Sequence, residues 1–272
     1  METTRDDRVL APTRWTATLI VPVLTAAFVI LYLFPEKTQE LWAWTIEPSM
    51  TPMFMGGGYL AGAWFFARVA GTRSGHQALV GLAGTSLFAT MLLAATILHW
   101  DRFNHDHVSF WAWLGLYVAT PPLLPWLWAL NRRTDPRALS ADDVVVPAPL
   151  RAALTVAGSA TLLFALVMFV RPSVVLEHWP WALTPLTARV LAGFLAFPAA
   201  TMALFAIDVR WSSFQFPAET ATIGLALILV ASFRAADDFS GSMAGYAVAL
   251  VGALALLVLL QVTMRQRRRA RG

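Results

Sequence analysis

Residues Pro35–Gly56, PEKTQELWAWTIEPSMTPMFMG, occur twice in this chain. Shifted by 137, they lie without a gap on Pro172–Gly193, PSVVLEHWPWALTPLTARVLAG. Pro35 falls on Pro172, Glu40 on Glu177, Trp42 and Trp44 on Trp179 and Trp181, Pro48 on Pro185, and Gly56 on Gly193. Six identities in 22 positions, mostly of rare residue types, exceed what two apolar segments share by chance. The same offset carries Arg14 onto Arg151 and Asp101 onto Asp238, so the repeating unit covers about half the chain.

The rest of the sequence says what kind of unit repeats. The chain has 272 residues, 58% of them hydrophobic and 13% charged, with a mean hydropathy of +0.61. That lies outside soluble composition. The apolar residues come in runs of about twenty, the length a helix needs to cross roughly 30 Å of hydrocarbon. Eight runs stand out: Trp15–Phe34, Pro48–Ala70, Ala78–His99, Phe110–Leu130, Arg151–Val170, Pro185–Ile207, Pro217–Phe233 and Met243–Met264. Each is read as a helix, because backbone facing lipid must satisfy its own hydrogen bonds.

The expected fold class is all-α, a polytopic membrane protein of eight transmembrane helices built as two parallel four-helix repeats. The expected division is a cytoplasmic N-terminus (1–14), repeat 1 (15–130), a cytoplasmic linker (131–150), repeat 2 (151–264) and a basic cytoplasmic tail (265–272). The linker, NRRTDPRALSADDVVVPAP, reads as a polar connector with no apolar period. An even number of spans per copy returns the second copy in the same orientation, which relates the halves by an axis along the membrane normal.

Basic residues set the orientation. With the N-terminus inside, 15 of the 20 lysines and arginines fall on the inner side and 5 on the outer, a clear positive-inside bias. Acids split 8 and 8. The expected location is the bacterial inner (plasma) membrane with both termini cytoplasmic. The formal charge of +4 does not suggest nucleic acid, because the arginines gather in short loops and at the C-terminal tail, where anionic lipid is the natural partner. Absence of cysteine excludes disulfides and thiolate chemistry. The N-terminal METTRDDRVLAPTR precedes an apolar run without a small-residue cleavage site, so it reads as the lead into an uncleaved first span.

The duplicated element places proline, glutamate and paired tryptophans in the first outer loop of each half. Pro48 and Pro185 suit the first turn of the next helix, and Gly56 and Gly193 permit close helix approach. At the same outer level lie charges that the repeat does not duplicate, Glu47 in the first copy and Arg189 in the second. Ionisable groups at such depth are costly unless paired or facing a wet cavity. The candidate pocket is therefore Trp44, Glu47, Trp181, Arg189 and Arg234, with Glu47 expected opposite Arg189. Glu219, beside Pro217, reads as an acid in a first helical turn.

The second outer loop, HWDRFNHDH, offers His99, Asp101, His105 and His107 as candidate ligands for a divalent metal. Met50, Met53 and Met55 add thioethers suited to copper. Neither set has the spacing of a recognised site, so no cofactor is predicted. No nucleophile elbow, phosphate loop or zincin helix is present.

The run LHWDRFNHDHVSFWAWLGLYVATPPLLPWLW with NRR after it, and WTIEPSMTPMFMGGGYLAGAWFF at Trp44–Phe66, resemble multi-pass integral membrane proteins of actinobacteria and related bacteria, a family to which no activity is assigned. The resemblance implies a bacterial inner-membrane location and carries no functional residue. The expected function is transport or binding of a small solute or lipid at the repeat interface. Alternatives are a non-catalytic subunit or scaffold, and a metal-dependent or copper-handling membrane protein. Expected partners are membrane lipids and a membrane protein or second copy of the chain, and not nucleic acid.

Overall fold

The computed structural model describes residues 6–139 and 143–271, so Arg5 and residues 140–142 of the linker lie outside the described part. Among the described residues, regular structure is helical apart from isolated bridges. The eight long helices are α1 (Ala11–Phe28), α2 (Met50–Gly71), α3 (His76–Leu98), α4 (Val108–Thr134), α5 (Ala148–Val170), α6 (Pro185–Ala203), α7 (Trp211–Arg234) and α8 (Met243–Arg269). α1 runs on as a π-helical turn, Val29–Leu33.

Six of these, α1, α3, α5, α6, α7 and α8, are long and apolar enough to cross a membrane. The other two are diluted by weakly apolar residues: α2 by Gly56, Gly57, Gly58 and Gly62, α4 by Pro121, Pro122 and Pro125. Burial explains how α2 tolerates this. It buries 14 of its 22 residues, so most of its surface meets other helices. α8 is the opposite case, buried only at Ala247, Gln261 and Met264.

The helices pack in a closed pattern. α1 lies along α2, α5 along α6, α3 along α4, and α7 along α8; α2 crosses to α7 and α6 crosses to α3, while α3 and α7 meet centrally. Small residues set the closest approaches. A Cβ on Gly56 would stand 2.9 Å from the Tyr32 backbone nitrogen, and one on Gly158 would stand 2.6 Å from that of Ala203. Thus α1 against α2 and α5 against α6 come together through backbone, as small residues allow between membrane helices. Gly193 is less demanding, because the one close contact its Cβ would make is with the tip of Leu92.

Both described ends of the chain reach Asp143: Asp7 through His76 and Ser212, and Arg271 by donating to the Asp143 carbonyl at 2.9 Å. The two described ends therefore share one face of the bundle. At the far face the loops pair across each half, with Asn104 N–H donating to the Ala43 carbonyl at 2.8 Å and Ser240 N–H to that of Pro180 at 2.9 Å.

Three expectations change. The linker is not a wet connector: Val144 and Val146 are buried, and Val146 and Trp211 exchange backbone hydrogen bonds with Val209 and Val144 at 3.0 and 2.9 Å. Burial that alternates along a short extended segment, with Val144 and Val146 in and Val145 out, leaves no helical period to read. Most of the basic tail, 265–272, continues α8, which stays helical through Arg269. Pro185 does open α6, inside a capping box of Thr184 and Thr187, whereas Pro48 lies ahead of α2, after a cis peptide bond with Glu47.

Candidate functional site

The residues expected to form an outer pocket do not share one. Trp44 is buried among Trp42, Phe103 and Trp113. Trp181 is fully buried in the other half, packed on Trp179, Phe239 and Tyr246, and its indole N–H donates to Thr51 Oγ1 at 2.9 Å. The tryptophan pairs are plugs on the far face. Glu47 is exposed and makes no ion pair with Arg189 among the described residues. Arg189 instead donates to the Phe169 carbonyl at 3.0 Å and to His99 Nε2 at 2.7 Å. Arg234 donates to the Tyr32 carbonyl at 3.0 Å and lies over that ring.

Nor does the histidine loop gather into a metal centre. Among the described residues no three His, Cys, Asp or Glu side chains are grouped to hold an ion. His99 is taken by Arg189. Burial, and then the Arg189 charge, hold its imidazole below its ordinary pKa. Asp101 is exposed and lies 3.6 Å from Arg102, His105 stacks on Trp100, and His107 caps α4 by accepting from Ser109 N–H. Met50, Met53 and Met55 are buried in the core, the ordinary use of a flexible apolar side chain.

What the bundle does hold is a cavity of about 930 Å³. At one end it is lined by Trp179 and Tyr246, at the other by Met264 and Arg267, with Ile20, Phe88, Phe194 and Leu225 between. The lining comes from both halves of the chain. It is almost wholly apolar, and Arg267 is its one charged side chain among the described residues. The lining also includes Leu256 and Leu259, which are 70% and 62% exposed on α8. The cavity therefore opens sideways past that helix, which packs chiefly on α7. Its size lies at the upper end of the range for small-molecule pockets, about 300–1,000 Å³.

Two tyrosines meet on this lining. Tyr59 and Tyr117 are buried, and their hydroxyl oxygens lie 2.9 Å apart. Each sits nine residues past the start of its helix, α2 or α4, about 14 Å in at 1.5 Å per residue. Trp42, Phe88, Trp113 and Phe194 enclose the pair with edge-on and tilted rings. That matched depth was readable once the helix starts were known, and sequence reasoning passed over it in favour of charges.

The face with the termini is closed by two polar networks that sequence reasoning also missed. In the first, His76 Nδ1 meets the Asp7 carboxylate and its Nε2 lies 2.8 Å from Ser212 Oγ. The order carboxylate, imidazole, hydroxyl is that of a hydrolytic triad. Here, however, Ser212 is buried and its hydroxyl donates to Asp143, so the oxygen is held in a structural chain and does not face the cavity. In the second, Arg210 bonds both oxygens of Asp135, at 2.7 and 2.9 Å, and also Asp208. Burial, the largest single influence, would raise both carboxyls, but the hydrogen bonds and charge of Arg210 together with backbone N–H donors outweigh it and hold Asp135 and Asp208 below the usual carboxylate range.

Glu219 is not in a first turn, because α7 begins eight residues earlier at Trp211. It is a hub on the side of the bundle, 3.1 Å from Arg68, 3.5 Å from Arg265, and accepting from Trp64 and Gln215. A smaller groove of about 550 Å³ runs beside it.

No protein-family model, curated protein or solved structure matches the chain. The class it belongs to is thus defined by its own geometry: a helical, apolar bundle compatible with a membrane location, with a large apolar cavity at its centre.

Proposed function

We propose that this chain is an eight-span protein of the bacterial plasma membrane, built as two parallel four-helix repeats, that binds a lipid-like molecule in the cavity between them. The cavity carries the reading: about 930 Å³ of apolar space, lined from both halves and open towards lipid past α8. A polar solute finds one charged side chain there among the described residues, Arg267, and few hydrogen-bond partners, whereas an apolar chain entering from the bilayer gives up nothing. This narrows the expectation of a solute or lipid at the interface to the lipid.

The two-repeat architecture is supported by more than the sequence offset. α1 starts at Ala11 and α5 at Ala148, 137 residues on. Under that offset α1, α2, α3 and α4 pair with α5, α6, α7 and α8. Every major helix contact then has its counterpart, the crossing of α2 to α7 answering that of α6 to α3. The arginine distribution supports cytoplasmic termini.

The test is the lipid content of protein extracted in mild detergent. One apolar lipid molecule retained per chain is expected, and replacing Ala221, on the cavity wall, by tryptophan should expel it. No retained lipid, or retention unchanged in A221W with unchanged folding, contradicts the reading.

A further inference from the structure

We infer that the cavity selects a neutral lipid carrying a carbonyl oxygen, received by the hydroxyl hydrogen left over in the Tyr59–Tyr117 pair. The inference rests on the reading of the cavity as a lipid site. Two phenols bring two O–H hydrogens, and the single contact between them uses one. No other hydrogen-bond partner exists for either hydroxyl among the described residues, although the two residues are only 3% and 2% exposed. One donor is therefore buried, unpaired and on the lining of an apolar cavity. Buried donors without acceptors are rare enough in folded proteins to demand an explanation.

The surroundings decide what completes it. Thr85, Thr120, Thr201 and Thr220, also on the lining, donate to carbonyls of their own helices and offer no acceptor geometry of their own to the pair. Among the fully buried polar atoms of the lining, the one other without a partner is again a donor, the indole N–H of Trp179. Both vacancies ask for an acceptor. The acceptor must be uncharged, because the one charged lining residue among the described residues, Arg267, stands at the other end of the cavity, and an anion at mid-depth would be left unpaired. A carbonyl flanked by apolar groups meets these conditions, while the rings of Phe88, Phe194 and Trp113 enclose its neighbourhood. Two lipid classes supply it: the ring ketone of a quinone and the ester carbonyl of a diacylglycerol.

Displacement of an apolar fluorescent dye from the full-length purified protein distinguishes them. The probes are a short-tailed benzoquinone, dioctanoylglycerol, and a branched alkane of matched length. In the wild type at least one carbonyl lipid should displace the dye at about tenfold lower concentration than the alkane, and the more effective of the two names the source. Y59F and Y117F each keep one hydroxyl, so each should keep the preference. Y59F/Y117F removes both partners together, leaves no new orphan, and should bring the carbonyl lipid to the level of the alkane. Equal displacement by carbonyl lipids and alkane in the wild type, or a preference unchanged in the double variant, overturns the inference while leaving the cavity reading intact. Failure of the dye and of all three probes to bind would instead remove the cavity reading itself.

Discussion

Arg189 on α6 donates to His99 Nε2 at 2.7 Å, tying the end of α3 to the second half of the chain. An imidazole nitrogen accepts only when it carries no proton, so this bond requires neutral His99. Its pKa is lowered in the fold by burial and then by Arg189. The unfolded chain therefore takes up a proton near pH 6.5 that the folded chain refuses. Stability is expected to be steady above about pH 6.5 and to fall as the pH drops below it. Thermal midpoints measured from pH 8 to pH 5.5 should show that fall in the wild type and a smaller one in H99Q.

Asp135 and Asp208 act lower on the pH scale. Their carboxyls are depressed by Arg210, so their contribution is complete above the ordinary carboxylate pKa and is lost as pH falls through the folded value. The acid limb of a stability profile, below about pH 4, should flatten in D135N. At neutral pH, R210Q takes the guanidinium away from two carboxylates, one of them, Asp135, fully buried, and should cost about 3–5 kcal/mol.

Gly158 separates backbone contact from mere small size. Its added Cβ would lie 2.8 Å from the Ala199 carbonyl oxygen, whereas Gly252 has nothing within 4 Å. G158A should destabilise by about 1–3 kcal/mol through overpacking of α5 on α6, and G252A should stay within about 0.5 kcal/mol of wild type. Denaturant unfolding in one detergent compares them directly.

The chain's lack of cysteine makes topology measurable. Single cysteines at Lys37 and Val174, both exposed at the far face, should be labelled from outside intact cells. A cysteine at the exposed Arg137 should be labelled only after lysis. Labelling of the first two from opposite sides would refute parallel repeats.

The helices were legible because apolar runs of spanning length leave the backbone few alternatives. Their ends were less so: α4 runs through Arg132 and Arg133, and α8 through Arg269, since arginine is a good helix former and charge alone does not stop a helix. The site was misjudged for a related reason. Glu47, Arg189 and Arg234 look costly as charges, but near helix ends such groups find carbonyls or water, as Arg234 does at Tyr32. Tyr59 and Tyr117 carry no charge, lie 58 residues apart, and become a pair only through a packing that no local pattern announces. The linker valines likewise gain meaning only from Val209 and Trp211 across the fold.

The central claim, that the space between the two halves is a lipid site, is tested most directly by an electron cryo-microscopy map of the protein in native-membrane nanodiscs. The account predicts elongated density inside the cavity, reaching the Tyr59 and Tyr117 hydroxyls and leaving sideways past Leu256 and Leu259. A map in which those side chains close over the space, or in which it is filled only by discrete water, would contradict it.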